Sequence, residues 1–136
     1  GSSRTPPHQD NFYFCLQGGK ALTVYIPLNC QTKKNGALAV LPESHNRDFD
    51  HFASSVAGFS SGCKLTEEQQ ARVHHYKLEQ GDVSVHHCNI VHMAADNSSD
   101  TPRVNIAVRF RAINEKIDPV RKSKYDSFKA SSTRVA

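Results

Sequence analysis

The stretch Val104–Arg111 alternates without a break: Val104, Ile106, Val108 and Phe110 interleave with Asn105, Ala107, Arg109 and Arg111. A period of two belongs to an extended strand whose successive side chains leave on opposite faces. It predicts a strand with one face in a core and one turned outward. A strand is not stable alone, so this pattern commits the rest of the chain to supplying a sheet around it.

Other segments answer that demand. Ala21–Leu28 (ALTVYIPL) is apolar and rich in β-branched and aromatic residues, a buried strand with Pro27 suggesting an edge or bulge near its end. Lys33-Lys34-Asn35-Gly36 is a turn, and Ala37–Leu41 is a strand stopped by Pro42. Val73–Leu78 and Val83–His87 flank the Gln80-Gly81-Asp82 turn, and Val91–Ala94 precedes the turn-rich residues 96–102. Phe12–Leu16 is a short aromatic-rich run. Residues 46–70 lack periodicity and read as a long loop, with a short helix around Thr66–Arg72 opened by the capping box Thr66-Glu67-Glu68-Gln69. A loop of that length is often a lid or binding segment. Many short strands separated by turns predict a mainly β sandwich, barrel or jelly roll.

At 136 residues the chain is one domain with room for one core. Residues 103–136 hold nine Lys/Arg and three Asp/Glu, whereas residues 1–102 hold eight and ten. The body is therefore not a basic nucleic-acid surface, and residues 114–136 read as a basic peripheral segment beside a core of residues 1–113. No apolar run reaches the ~20 residues of a membrane helix. Gly1-Ser2-Ser3 resembles a tag remnant or cut end and lacks the regions of a signal peptide. Cys15, Cys30, Cys63 and Cys88 show no C-x-x-C spacing and read as reduced, mostly buried thiols, which points to an intracellular, cytoplasmic protein.

The chemistry-bearing residues are His8-Gln9-Asp10, the distant His92 and the trailing Arg103. In an extended segment residues i and i+2 share a side, with Cα atoms roughly 6–7 Å apart. A His and an Asp so placed can converge on one ion, with His92 as a third ligand from another strand. Two neutral imidazoles and one carboxylate leave a cation with open positions, the facial set that suits non-haem Fe(II). H-x-D is common by chance, however, and the chain has eight histidines. On these residues alone, a surface His8 with His92 packed or capping a turn remains the alternative.

The surrounding blocks extend the pattern: Pro7-His8-Gln9-Asp10, Asn35-Gly36-Ala37-Leu38 running into Leu41-Pro42-Glu43-Ser44-His45, Gly81-Asp82-Val83, and His92 followed by Asn97-Ser98-Ser99 and Arg103. In order and spacing, over about residues 7–111, the chain resembles the phytanoyl-CoA dioxygenase family of Fe(II)/2-oxoglutarate-dependent oxygenases. The resemblance implies a double-stranded β-helix, a jelly-roll, cupin-like barrel. It implies Fe(II) held by His8, Asp10 and His92, with Arg103 binding the far carboxylate of 2-oxoglutarate. A guanidinium suits that role, since it grips a carboxylate through two parallel hydrogen bonds. The implied activity is O2-dependent hydroxylation of an unactivated C–H bond in a small-molecule or acyl substrate, with release of succinate and CO2. Related halogenases carry a small residue in place of the carboxylate, so Asp10 points to hydroxylation.

Thr23 and Tyr25 share a strand face and are candidates to donate to 2-oxoglutarate or a substrate. His45 is expected in a structural turn, Asp82 to close a turn, His74 and His75 on a strand surface. His86 and His87 are adjacent, so one faces inward as a supporting group or alternative ligand. Glu43 stands where the family usually has Gly, and Ala94 where it often has Ser or Thr. Family members carry strands and helices ahead of the H-x-D motif, but only seven residues precede His8. The expectation is an N-terminally incomplete barrel, part of a longer chain or completed by a partner. Two rival classes share the ligand set: a zinc site needing no 2-oxoglutarate, and a non-catalytic barrel that binds a partner. Substrate and oligomeric state are not readable.

Overall fold

The computed structural model describes residues 4–56 and 60–132, with side chains described to residue 130. Gly1-Ser2-Ser3 and residues 57–59 of the expected loop lie outside the described residues. The short apolar runs form two sheets that face each other across a cavity. The first has strand order β1-β8-β3-β6, made of β1 (Thr5–His8), β8 (His92–Ala94), β3 (Leu38–Val40) and β6 (His74–His75). The second has order β7-β2-β9, made of β7 (Ser84–His87), β2 (Ala21–Pro27) and β9 (Asn105–Arg111). Every pairing within these sheets is antiparallel. This is a jelly roll of the double-stranded β-helix type.

The turn blocks do the aligning. A short 3-10 turn at Lys33–Asn35 ends on Gly36 in the left-handed conformation, φ +79°. The Asn35 side chain accepts from Thr32 N at 2.7 Å and donates to Cys30 O at 3.0 Å, so the turn is bonded on both sides of its amide. After β3, the Ser44 hydroxyl donates to Leu41 O (2.7 Å) and accepts from Val91 N (2.8 Å), which locks the strand exit to the residue before His92. Glu43 takes φ +62°, a conformation natural to glycine, so this turn keeps its left-handed step despite carrying a side chain. Asp82 Oδ2 accepts from Glu79 N at 2.7 Å and closes the turn before β7, as expected.

Strand β2 is central, and its faces divide cleanly. Ala21, Thr23, Tyr25 and Pro27 are buried, whereas Leu22, Val24 and Ile26 lie on the opposite side. Pro27 is fully buried and sits past the last β7 partner of β2, so its missing N–H interrupts no pairing on that side. The alternation of Val104–Arg111 leaves open which face is inward. Val104, Ile106, Val108 and Phe110 are 44%, 48%, 39% and 55% exposed, while Asn105, Ala107 and Arg109 line the cavity. The alternation marked a strand correctly, but the polar and small side chains are the ones turned inward.

Other differences are local. The H-x-D segment is extended only through Gln9 (φ −109°, ψ 128°), and Asp10 opens a short helix α1 (Asp10–Phe14) that takes up most of the aromatic-rich run. The expected loop contains a hairpin of β4 (His51–Ala53) and β5 (Ser61–Cys63), followed by α2 (Glu67–Ala71) with its Thr66–Gln69 capping box formed. The basic segment forms α3 (Pro119–Ser132), which docks on α1: Tyr125 and Phe128 meet Phe12 edge-on at centroid distances of 5.5 and 5.3 Å. All four cysteines are free, and only Cys30 is exposed. Among the described residues, no helix is long and apolar enough to cross a membrane.

Gly36 tests the alignment. A Cβ there would stand 2.4 Å from Ala95 O, in a backbone conformation unfavourable to L-residues. Gly36→Ala should cost about 2 kcal/mol or more of unfolding free energy in a urea titration. An unchanged midpoint would show that the turn does not constrain the sheet.

Candidate metal centre

Pairing of β1 with β8 sets His8 opposite His92, ring centroids 4.2 Å apart. The register slips by one residue between Thr5 and His8, a bulge at Pro6-Pro7 on an edge strand, where prolines are tolerated. Asp10 enters from the first residue of α1, with Oδ1 3.7 Å from His8 Nε2 and 3.9 Å from His92 Nε2. One ligand atom from each of His8, Asp10 and His92 lies within 4.8 Å of the others, and all three residues are buried.

Both histidines are held in the tautomer a metal requires. His8 Nδ1 donates to Pro6 O at 2.9 Å and His92 Nδ1 donates to Ile90 O at 3.1 Å. Each bond uses the Nδ1 proton and leaves the Nε2 lone pair aimed at Asp10 and the cavity. Burial, reinforced by the neighbouring His8, pushes His92 down to about 3, so it is neutral near pH 7. Burial raises the Asp10 carboxyl, but the polar groups that converge on it, the donating Thr23 hydroxyl among them, outweigh it. They hold Asp10 well below the usual carboxylate range. The result is an ionised carboxylate between two imidazoles, a donor set that fits a divalent transition-metal ion with coordination positions left over.

The support around the triad was not readable locally. Gln9 is buried between His8 and Asp10. Its Nε2 donates to Asn89 O (2.6 Å) and Arg47 O (2.9 Å), its Oε1 accepts from Phe49 N (2.9 Å), and its backbone N–H donates to His51 Nε2 (3.2 Å). His51 in turn stacks on Phe12 at 4.0 Å and is pushed down to about 4 by burial. Cys63 Sγ lies 3.4 Å from His51 Nε2, but burial pushes the thiol up to about 12, so it carries no nucleophilic thiolate. These contacts span 38 to 80 residues of sequence, and only the H-x-D motif itself hinted that its middle residue mattered.

Across the second sheet, His86, Thr23 and Arg109 form one row facing the triad. Thr23 Oγ1 donates to Asp10 Oδ2 at 2.7 Å, and Arg109 Nε is 3.9 Å from the same oxygen. Tyr25 is committed elsewhere in the wall: its hydroxyl donates to Gln31 Oε1 at 2.7 Å and lies 3.0 Å from Asn105 Oδ1. Arg103 Nη1 donates to Gly36 O, which ties this guanidinium to the Asn-Gly turn. His8, Asp10, Thr23, Tyr25, His86, His92, Arg103 and Arg109 all line a single cavity of about 200 Å³. His87 is exposed on the outer face, His74 and His75 are exposed on β6, and His45 is exposed outside the cavity.

Two outcomes follow. Thr23→Val removes the hydrogen bond that orients Asp10, and should weaken Mn(II) binding in calorimetry about 10-fold; equal affinity would show that Asp10 needs no such support. His51, His86 and His92 all have lowered pKa values, chiefly from burial. The unfolded chain therefore binds more protons than the folded one below the ordinary value of about 6.5. Stability of the metal-free protein should fall as the pH drops from about 6.5 toward about 4. A flat urea midpoint across that window would contradict the neutral, buried imidazoles.

Known proteins share this fold. The family model of phytanoyl-CoA dioxygenase (PhyH) matches residues 1–105. Among solved structures, the epimerase SnoN in complex with Fe3+, alpha ketoglutarate and nogalamycin RO matches with TM-score 0.69 at 27% identity, over 92% of this chain and 48% of that one. The non-heme alpha ketoglutarate dependent carbocyclase SnoK from nogalamycin biosynthesis matches at 0.66 and 25%, over 86% and 46%. The non-heme monooxygenase ThoJ in its Ni complex matches at 0.63 and 26%, over 85% and 40%. The chain thus spans less than half the length of each of these structures. With the barrel, the buried His-x-Asp…His set and a family match over most of its length, this chain belongs to the phytanoyl-CoA dioxygenase family.

Proposed function

We propose that this chain carries the metal centre of an Fe(II)- and 2-oxoglutarate-dependent oxygenase that hydroxylates an unactivated C–H bond of a small-molecule or acyl substrate. The observation that carries this reading is the presence of two features in one cavity of about 200 Å³. One is the buried His8–Asp10–His92 set; the other is the guanidinium of Arg103. A plain hydrolytic zinc site has use for the first and none for the second.

In this reading His8 and His92 hold the ion through Nε2, because their Nδ1 protons are already donated to backbone carbonyls. Asp10 holds it through one oxygen while Thr23 fixes the other. Arg103 binds the far carboxylate of 2-oxoglutarate and is itself positioned by Gly36 O. Leu38, Met93, Ala94 and Ala107 supply apolar wall between these points, which limits water near the reacting centre. Bound iron with its 2-oxo acid supplies the oxygen chemistry, consuming O2 and releasing succinate and CO2. A carboxylate at position 10, rather than a small residue, keeps the ligand set of a hydroxylase.

Anaerobic addition of Fe(II) and then 2-oxoglutarate should produce the visible metal-to-ligand charge-transfer band of a chelated 2-oxo acid. Arg103→Ala should weaken 2-oxoglutarate binding roughly 10- to 100-fold and leave Fe(II) affinity nearly unchanged. Folded protein that binds Zn(II) tightly but shows no band would favour the zinc reading, and one that binds neither metal would favour a non-catalytic barrel.

A further inference from the structure

Among the described residues, the buried side-chain donors around the triad are accounted for with one exception. His8 and His92 donate from Nδ1 to backbone carbonyls, Thr23 donates to Asp10, Tyr25 to Gln31, and Arg103 to Gly36. Arg109 stands near Asp10 with a side chain 56% exposed, so water can satisfy it. His86 has no such recourse. It is 8% exposed, lines the cavity, and both its Nδ1 and its Nε2 are buried without a hydrogen-bond partner. A buried polar group left without a partner is costly, and such groups in folded proteins usually have a role that explains them.

Its position narrows the role. His86 pairs with Thr23 across β2 and β7, so it shares the cavity-facing row that carries Thr23 and Arg109. Its ring is 4.6 Å from the ring of His92. It does not belong to the cluster of ligand atoms formed by His8, Asp10 and His92. Arg103 precedes β9 and lines the same cavity of about 200 Å³ as His86 and the triad. His86 sits beside the triad, next to His92, whereas Arg103 is tied to the turn at Gly36. A dicarboxylic acid held by Arg103 through one carboxylate presents its other end toward the triad, where His86 is the buried donor with nothing to bond.

We propose that His86 is a positioning residue for the co-substrate, donating one ring N–H to the carboxylate of 2-oxoglutarate that lies beside the metal. This rests on the oxygenase reading above. It adds a second, opposed anchor, so that Arg103 and His86 together set the length and orientation of the acid. A longer or shorter dicarboxylate would satisfy one anchor and not the other.

The test uses the full chain and three measurements: Mn(II) affinity by calorimetry, 2-oxoglutarate affinity of the Fe(II) form followed by the charge-transfer band under anaerobic conditions, and thermal melting. His86→Phe should melt no lower than wild type, because it removes an unpartnered polar group and keeps a ring of similar size. It should bind Mn(II) as wild type does, bind 2-oxoglutarate about 10-fold more weakly, and shift the band. His86→Gln, which retains a donor, should recover part of the loss. In wild type, 2-oxoglutarate should also be preferred over 2-oxoadipate more strongly than in His86→Phe. Equal 2-oxoglutarate affinity in wild type and His86→Phe overturns the proposal while leaving the oxygenase reading intact. Parallel loss of Mn(II) affinity overturns it in favour of a metal-ligand role for His86. Wild type that binds metal but not 2-oxoglutarate overturns both.

Discussion

The antiparallel register of β1 on β8 is the constraint from which the centre follows. It pairs His8 with His92, and because side chains alternate faces, a slip of one residue would turn one of the two imidazoles out of the cavity. The bulge at Pro6-Pro7 is what permits this match, since Thr5 pairs with Ala94 and His8 with His92. Two further bonds protect it. Leu41 N donates to Val91 O at 2.8 Å, and Ser44 Oγ accepts from Val91 N, so the residue ahead of His92 is held from both its polar groups. Gln9 performs the same service between His8 and Asp10. The geometry of this candidate ligand set is thus a property of backbone hydrogen bonding more than of the side chains themselves.

The second sheet contributes by its inward chemistry. A three-stranded sheet with Thr23, Tyr25, His86, Asn105 and Arg109 on its cavity face can orient a carboxylate and receive an acid. The same sheet turns Leu22, Val85, Val108 and Phe110 outward, all more than a third exposed. Polar groups inside are tolerated because most are bonded to one another or to backbone, which offsets the cost of removing them from water. Arg103 illustrates the economy of the arrangement: the glycine that makes the turn after Lys33-Lys34-Asn35 also offers its carbonyl to the guanidinium, and a side chain at that position would crowd both.

The site is also prepared electrostatically. Burial disfavours charge on His92 and His51, while the neighbours of Asp10 keep its carboxylate ionised. Near neutral pH, Asp10 and His92 are in the protonation states a divalent ion needs, and binding then has few protons to displace. The same neutrality makes the metal-free fold sensitive to acid, because unfolding lets buried imidazoles take up protons.

Much of this was legible in the residues. The period of two in β9, the turn dipeptides, the Thr66 capping box and the spacing of His8, Asp10, His92 and Arg103 are local patterns, and local patterns survive in one dimension. They marked the β class, six of the seven strands of the two main sheets, and the candidate ligands. The hairpin within residues 46–70 and the docking of α3 were missed because aromatic contacts made across the fold, not periodicity, hold that region together. Which face of β9 points inward, which histidine of the His86-His87 pair meets the site, and what Thr23 and Gln9 bond to were decided only by tertiary structure. Alternation shows that a strand has two faces, but only the opposing sheet determines which of them is inside.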